Sequence, residues 1–455
     1  MKKIVFMLAA VFALSTSTSY AQKVDESSIQ AKLAKVDADS QHEKKGTKAA
    51  AWLTRGDAYV ATLTASTKSL YLGMDAVTMG VVCDDAISVT DQVVDSRDFR
   101  VHVYPYFTAY ESEGKIVSWQ VTKEVANGAA QIALDSYNKA FALDSSAKAK
   151  AKTGIQSLVD FHKQDANCAI EIADLTGAAE AYIAAVDAQS SPAYGSADPN
   201  LMFYAGYMYT IDSDANPSSC EKGEAALNRA IEMGYNKVAE ANTATNPKDL
   251  GNIYYYMFHC AYGMRESDPE KLQTAKGYLV EGISKYPQNE KIFEGLLQLY
   301  TSEENIGDPS ELLVTIEANI AADPTNLNAW FGRGRIYFAL KNYDECIESF
   351  KKVVEINPQS FEGNYYLGLF CMIKGDDYLD IINTKTYSDQ ASLDKDVAVL
   401  NKLYGAALPY FEAAHELKPT DGATLESLKQ LCFRLRDEPG VMEKYNKYNE
   451  LWKAL

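Results

Sequence analysis

The sequence lacks the short motifs that usually mark catalytic and metal sites. Its five histidines include no HExxH or HxxxH pair, and its seven cysteines form no CxxC cluster. There is also no phosphate-binding glycine loop, no GxGxxG turn and no GxSxG nucleophile turn. These absences argue against a metalloprotease, a nucleotide-binding enzyme and an α/β-hydrolase. We therefore predict a protein that is not an enzyme and that needs no cofactor and no metal ion.

The segment Asp212–Asn216 begins like a calcium-binding loop, with the pattern D-x-D-x-N. Pro217 stands where such a loop needs Gly, however, and Gly223 stands where it needs a bidentate Glu. We interpret the segment as a connection between helices that is rich in Asx turns.

Positive charge is scarce as well. The 44 Lys and Arg residues face 62 Asp and Glu residues, which gives a formal net charge of −18. A chain with this balance repels nucleic acid and anionic membrane surfaces, so we predict neither as a partner. After the N-terminus no run reaches the roughly 18 apolar residues that a membrane-spanning helix needs. The mature chain is predicted to have no transmembrane segment.

The N-terminus has the pattern of a cleaved secretory signal peptide over residues 1–21. Lys2 and Lys3 precede the apolar stretch Ile4–Leu14, and the small-residue site Ser19–Ala21 follows it. The apolar stretch is short, as is typical of bacterial signal peptides. No Cys follows it closely, so we do not expect a lipid-anchored form. We predict a periplasmic location; release to the extracellular side is the alternative.

Helical repeats are the main feature of this sequence. Residues 326–358 contain two amphipathic patterns and a closing proline, over close to 34 residues. The positions that define this unit are Trp330, Arg333, Gly334, Tyr337, Cys346, Phe350, Val353 and Pro358. Closing prolines recur at Pro287, Pro324, Pro358 and Pro419, with spacings of 37, 34 and 61 residues. Proline suits these places because it cannot continue a helix.

The second half of the unit recurs seven times as two small residues that flank a large apolar one at spacing 4 then 3. Two of the seven triads are degenerate, namely Gly223-Leu227-Ala230 and Leu312-Ile316-Asn319. The other five are Ala133-Tyr137-Ala140, Ala178-Tyr182-Ala185, Ala275-Leu279-Gly282, Cys346-Phe350-Val353 and Ala407-Phe411-Ala414. Residues at this spacing share one helical face, so each triad predicts a close helix–helix contact.

The first half of the unit recurs too. The stretch 51–63 nearly duplicates 329–340, with Trp52, Arg55, Gly56 and Tyr59 in the places of Trp330, Arg333, Gly334 and Tyr337. Weaker copies are Met202-Ala205-Gly206-Tyr209, Phe293-Leu296-Leu297-Tyr300 and Asn364-Leu367-Gly368-Cys371. The two patterns alternate along most of the chain, which favours stacked helix pairs over unrelated helices.

These motifs resemble the tetratricopeptide repeat family over roughly residues 46–435. The resemblance implies an all-α solenoid, a right-handed superhelix of antiparallel helix pairs. We predict these segments: signal peptide 1–21, helical lead-in 22–45, first repeat 46–145, degenerate repeats 146–324, best-matching repeats 325–419 and capping helices 420–455. Cys346, Cys371 and Cys432 occupy packing positions of the repeats, so we predict buried free thiols there.

Two insertions interrupt the repeats. Within about 66–124, Phe99–Glu111 and Lys115–Glu124 are rich in β-branched and aromatic residues and flank a Ser-Glu-Gly turn, which predicts a small β-hairpin. A short helix is predicted within Ser69–Val82. Helix followed by antiparallel strands loosely resembles modules of the outer-membrane barrel-assembly machinery. A hairpin alone is marginal in water, so we expect it to pack on the repeats or to receive a partner at its edge. The polar insertion 376–402 is predicted to be a lengthened loop, with a helical run from Ser392, that leads into a helix over Leu403–Leu417.

The family resemblance also implies that the first helix of each unit lines a concave groove. The groove stripe in this chain is aromatic, with sparse charge. The candidate peptide-binding residues are Phe203, Tyr207, Phe331, Arg335, Phe338, Tyr365 and Leu369. The Lys and Asn clamp by which some family members grip a C-terminal carboxylate is not reproduced, so binding of chaperone tails is not expected. The other interpretation is that several of these aromatics pack between helices.

From these features we predict a non-catalytic protein-interaction scaffold of the bacterial cell envelope, which binds a peptide or protein partner in the groove. One alternative is a carbohydrate-binding or uptake accessory protein, because aromatic rings also stack on sugars. A second alternative is an outer-membrane assembly factor. An undetected hydrolase remains a third hypothesis.

Overall fold

The computed structural model describes residues 24–455 except 84, 243, 245–248, 287–288, 304–305 and 308–309. These residues form 19 α-helices and four β-strands. They divide into two compact units, one ending at Tyr235 and one from Asn236 to Leu455. The predicted signal peptide and the predicted closing residue Pro287 lie outside the described residues.

The first unit contains the lead-in helix, the interrupted first pair and two further helix pairs. Its helices are α1 (Glu26–Gln41), α2 (Ala49–Leu63), α3 (Ala76–Val82), α4 (Ala129–Leu143), α5 (Lys148–Glu171), α6 (Leu175–Gln189), α7 (Pro199–Asp212) and α8 (Ser219–Glu232). Helix α2 packs on α4, α5 on α6, and α7 on α8.

The second unit consists of five successive helix pairs. Its helices, with α9 (Tyr235–Ala241) at the division, are α10 (Asn252–Gly263), α11 (Glu270–Lys285), α12 (Glu290–Ser302), α13 (Glu311–Ala322), α14 (Leu327–Ala339), α15 (Tyr343–Ile356), α16 (Phe361–Thr384), α17 (Gln390–Leu417), α18 (Gly422–Arg434) and α19 (Val441–Lys453). Helix pairs in which each helix also contacts the next pair are the architecture that the repeats predicted, and the predicted helical repeat fold is confirmed.

Each described closing proline lies two residues before a helix N-cap. Asn326 follows Pro324, and its side chain accepts a hydrogen bond from the Ala329 amide at 3.1 Å. Ser360 caps α16 in the same way after Pro358. The proline ends one repeat and the polar side chain satisfies a free amide of the next helix, so two residues set each boundary.

All seven predicted triads lie on the second helix of a pair. In six of them every member is buried, and in the seventh the central Ile316 is buried. In four of the pairs, the large central residue of the triad lies against a glycine of the first helix. A Cβ added at that glycine would come within 3 Å of the large side chain. These contacts are Gly56 with Tyr137, Gly206 with Leu227, Gly334 with Phe350 and Gly368 with Phe411. Tight contact at this point is what allows the two helices of a pair to approach closely.

The insertion between α2 and α4 is larger than the predicted hairpin. It forms a four-stranded antiparallel sheet in the order β1-β2-β3-β4, with strands β1 (Ser88–Val94), β2 (Arg97–Val103), β3 (Phe107–Ser112) and β4 (Lys115–Val121). The predicted strand over 99–111 is therefore two strands, because the chain turns at 104–106 around Pro105. Strand β4 packs on α5, where the Ser118 hydroxyl donates to the Cys168 carbonyl at 2.6 Å.

The helical run predicted from Ser392 is present in α17, but the prediction of a lengthened loop over 376–402 was wrong. Helix α16 continues to Thr384 and α17 starts at Gln390, so only five residues connect them. Asp396 stabilises this connection. Its carboxylate accepts from the Lys385 ammonium at 2.6 Å and from the Tyr387 and Tyr378 hydroxyls at 2.8 and 3.1 Å. The insertion therefore lengthens one helix pair.

Candidate interaction surface

The first helices of the second unit, α10, α12, α14 and α16, are named here the first-helix layer. Neighbouring helices of this layer contact one another through aromatic and cationic side chains. The layer contains five of the seven residues predicted to bind a peptide. The other two, Phe203 and Tyr207, lie on α7 in the first unit.

Phe331 and Arg335 do not line an open groove. Phe331 is 8% exposed and meets the Phe350 ring edge to face, with centroids 5.4 Å apart. Arg335 is 4% exposed. Both side chains are buried between helices, so the prediction that they face a partner was wrong. The interpretation that some of the stripe packs internally is the correct one for these two.

Arg335 joins three consecutive first helices. Its guanidinium lies 4.9 Å from the Phe293 ring centroid on α12 and 5.6 Å from the Tyr366 centroid on α16. It also donates to the Asn289 carbonyl at 3.4 Å. Guanidinium groups can be buried in this manner because the aromatic faces offset part of the lost hydration.

Phe338, Tyr365 and Leu369 are half-buried, and they keep part of their surface open to solvent. Phe338 packs on Phe370 with centroids 4.7 Å apart, and Tyr365 meets the Phe411 ring edge to face at 5.8 Å. One side of each residue is thus fixed by the core while the other remains available. Rigid aromatic anchors of this kind lose little conformational entropy on binding.

Helix α10 adds aromatic surface that the sequence patterns did not identify. Tyr255 and Tyr256 are half-buried, and the Lys291 ammonium lies 5.7 and 5.4 Å from their ring centroids. The signal was present as the run of aromatics in 252–262, but this helix lacks the Trp and Gly of the first-helix pattern. The first-helix layer is therefore aromatic across α10, α12, α14 and α16.

In the first unit, Phe203 and Tyr207 are half-buried on α7. Their rings are nearly parallel, with centroids 6.1 Å apart, and Phe203 also stacks on Tyr235 at 4.4 Å. They form an aromatic stack that ends at the last residue of this unit. This stack belongs to the first unit, whereas the first-helix layer belongs to the second.

An arginine clamp fixes the first helix of two repeats. Arg333 donates to the Glu317 carboxylate, the Glu345 carboxylate and the Ser349 hydroxyl, each at 2.7 Å. This one side chain therefore joins α13, α14 and α15.

Arg55 makes the corresponding contacts in the first unit. It donates to Asp37 at 2.7 Å and to the Ser136 hydroxyl at 2.9 Å. The duplicated sequence pattern thus produces a similar geometry, in which charged hydrogen bonds fix the first helix against its neighbours.

The cysteines are packing residues. Cys346, Cys371 and Cys432 are buried free thiols, as predicted. Burial raises the pKa of Cys371 and of Cys432 to about 11 each, and it raises that of Cys346 still further, so all three are neutral thiols at neutral pH. Within the described ranges no group of three or more His, Cys, Asp or Glu side chains is arranged to hold a metal ion.

In the loop that begins like a calcium site, Asp212 is hydrogen-bonded to side chains of neighbouring helices. The Asp212 carboxylate accepts from the Thr176 hydroxyl at 3.1 Å and from the Ser219 hydroxyl. Both contacts tie α7 to neighbouring helices. Across the part of the chain that the structure describes, no helix combines the length and apolar character needed to cross a bilayer.

Comparison with known proteins agrees with this geometry. Residues 327–360 match the tetratricopeptide repeat. The chain is 22% identical over 156 residues to Hsp70-Hsp90 organizing protein 2 of Arabidopsis thaliana, an alignment that covers 34% of this chain and 25% of the relative. It is 29% identical over 87 residues to Tetratricopeptide repeat protein 12 of Mus musculus, which covers 19% of this chain and 12% of the relative. The chain thus spans a quarter or less of the length of these relatives.

Among solved structures, the chain is similar to a TPR repeats protein from Bacteroides fragilis. The sequence identity is 16% and the TM-score is 0.28, over 60% of this chain and 97% of that one. The chain therefore contains a tetratricopeptide repeat, formed by α14 and α15. Repeats of this family typically serve as non-catalytic modules that bind protein partners, and they support a role as a protein-interaction scaffold.

Proposed function

We propose that the first-helix layer binds an extended peptide or a helix of a partner protein, without a covalent step. The observation that carries the proposal is the set of half-buried apolar side chains on α14 and α16, namely Phe338, Tyr365 and Leu369. Each is held on one side by the core and open on the other, which is the arrangement of an anchor pocket. Charge is sparse, so apolar side chains of the partner would supply the affinity.

We further propose that this interaction takes place in the bacterial cell envelope, in the periplasm. The support is the basic, apolar and small-residue order of residues 1–21, which is typical of a secretory signal peptide. The shortage of positive charge agrees with a protein partner rather than with nucleic acid.

The test is site-specific photo-crosslinking in intact cells. A photo-reactive residue is placed at Leu369 on the first-helix layer and, as the matched control, at Lys352, which is exposed on the second helix α15. We expect a discrete crosslinked partner from Leu369 and none from Lys352. The same partner is then titrated with the purified chain and with the Leu369→Asp variant, whose binding should fall at least tenfold while its helical CD signal is unchanged.

Equal crosslinking from both positions would contradict the proposal, because it would place contact on both sides of the repeats. A Leu369→Asp variant that binds the crosslinked partner as tightly as the parent would contradict it too. Cell fractionation tests the location separately: the mature chain should be released with the periplasmic fraction, and retention in the cytoplasm would refute the envelope proposal alone.

A further inference from the structure

Strand β1 is the open edge of the inserted sheet. It pairs with β2 on one side, and among the described residues no strand pairs with its other side. Six of its seven residues are exposed. Strand β4, at the opposite edge, packs on α5, and its backbone pairs with residues 73–75. An uncovered edge presents a row of backbone donors and acceptors that can pair with another chain.

Exposed apolar side chains are frequent in the stretch of chain that leads into β1 and in the strand itself. Seven of the 21 large apolar side chains that are exposed in the described part of the chain fall between residues 71 and 93. These seven are Tyr71, Leu72, Val77, Val81, Ile87, Val89 and Val93. Tyr71 and Leu72 adjoin residues 73–75, which pair with β4, so Ile87, Val89 and Val93 are the ones on β1 or directly before it. Val89 and Val93 are 43% and 68% exposed and lie on the same face of β1, because side chains alternate along a strand. These two side chains therefore lie outside the hydrophobic core of the chain.

A row of alternating charges crosses the sheet and ends at β1. In the strand register, Glu111 on β3 lies opposite Arg100 on β2, and Arg100 lies opposite Asp91 on β1. The Glu111 carboxylate itself contacts Nε2 of His102 at 2.8 Å. Paired residues of an antiparallel sheet project from the same face at close distance, and opposite charges stabilise such pairs. The charges at these three positions are therefore negative, positive and negative. A positive residue opposite Asp91 on an added strand would continue this alternation.

A second copy of this chain fits the edge badly. If two β1 strands paired antiparallel in full register, residue 91 of one would lie opposite residue 91 of the other. Like charges placed directly opposite one another destabilise a strand pair. Asp91 thus disfavours self-association, and it favours a partner of the opposite charge.

We propose that β1 is a docking edge for an extended segment of another protein, which adds a fifth strand to the sheet. The geometry assigns that segment a Lys or Arg opposite Asp91 and apolar residues opposite Val89 and Val93. Main-chain hydrogen bonds supply the affinity, and the charge with its two apolar neighbours selects the sequence. This edge belongs to the first unit, so the proposal is independent of binding by the first-helix layer.

The experiment uses the full chain and two fluorescent seven-residue peptides. One is Thr-Val-Thr-Lys-Thr-Val-Thr, and the other carries Glu in place of Lys. Fluorescence anisotropy at low salt should give at least roughly tenfold tighter binding of the Lys peptide, because an attractive cross-strand pair replaces a repulsive one. Hydrogen exchange should slow at the amides of β1 when the Lys peptide is bound. A Lys peptide with every backbone amide N-methylated should not bind, since it cannot donate to a strand edge.

The decisive variant is Asp91→Lys, which should invert the preference to the Glu peptide. The matched control is Asp437→Lys, an equal charge change at an exposed position of the second unit, which should leave the preference unchanged. Circular dichroism checks that both variants fold. The proposal is overturned if neither peptide binds, if both peptides bind alike, or if Asp91→Lys keeps the parent preference.

Discussion

Gly334 on α14 lies directly against the ring of Phe350 on α15. A Cβ added at Gly334 would fall 2.5 Å from Cε2 of that ring, which is closer than van der Waals contact allows. Phe350 is fully buried, so the ring has no room to withdraw. The glycine of the first-helix pattern is therefore required by its contact with the central residue of the second-helix triad.

Gly334→Ala should destabilise the chain by about 1–3 kcal/mol, because the added methyl group overpacks a filled core. Gly405→Ala is the matched control, since that helical glycine has nothing within 4 Å of its Cβ position. The control should gain about 0.5–1 kcal/mol from helix propensity. Urea unfolding followed by CD measures both. Equal effects of the two substitutions would show that the contact with Phe350 does not matter.

Phe331→Ser should reduce the free energy of unfolding by about 3–5 kcal/mol, since it leaves a cavity beside Phe350. The exposed Phe433, which is 51% exposed, provides the comparison, and Phe433→Ser should change stability by less than about 0.5 kcal/mol. The measurement is the urea midpoint of each variant. A stable Phe331→Ser chain would return this residue to the list of candidate partner contacts.

Arg333→Lys should cost about 1–3 kcal/mol although the charge is kept. A Lys ammonium cannot reach two carboxylates and a hydroxyl in the planar arrangement of the guanidinium, so charged hydrogen bonds to α13 or α15 are lost. Arg436→Lys, at an exposed position with a single hydrogen bond to a carbonyl, should be nearly neutral. Thermal unfolding of the two variants against the parent decides the matter, and similar losses would argue against a clamp.

Stability should fall below pH 6.5 through His162. This side chain lines a cavity of about 210 Å³ together with Phe161, Glu124 and Asp165, and burial lowers its pKa from 6.5 to about 4. Between these two values the unfolded chain binds a proton that the folded chain does not, so acid favours unfolding. The contribution present at neutral pH and lost by about pH 4 is on the order of 1–3 kcal/mol.

Urea unfolding of the parent and of His162→Gln at pH 7 and pH 5 measures this effect. The carboxylates titrate in both proteins, so the difference between the two pH dependences isolates the histidine. The variant should lose less stability than the parent on acidification. Parallel losses in the two proteins would mean that His162 is accessible and titrates normally when folded.

The repeats could be predicted because their pattern is local. A triad at spacing 4 then 3 needs only one helix to align its members, and all seven triads lie on second helices as expected. The near duplication of 51–63 and 329–340 is matched in the contacts of Arg55 and Arg333. Each guanidinium donates to a carboxylate on the preceding helix and to a serine hydroxyl on the second helix of its pair.

The insertions were harder to predict, because their structure depends on contacts with elements that are distant in the sequence. Strand β1 was missed since its sequence SVTDQVV lacks aromatics, and its exposed edge imposes no alternation of apolar and polar residues. The polar stretch after Asp376 resembled a loop, yet its charges are satisfied within a helix pair around Asp396. Whether β1 forms a strand and whether the segment after Asp376 is helical both depend on the elements that pack against them.

The sequence by itself determined that the chain is built from tetratricopeptide-type helix pairs, because helical periodicity and closing prolines are properties of neighbouring residues. Only the tertiary structure decided which face of each first helix is covered. Phe331 and Arg335 share a stripe with Phe338, Tyr365 and Leu369, but the first two are buried by adjacent helices and the others keep an open side. Burial depends on how successive pairs stack, and periodicity within one helix does not contain that information.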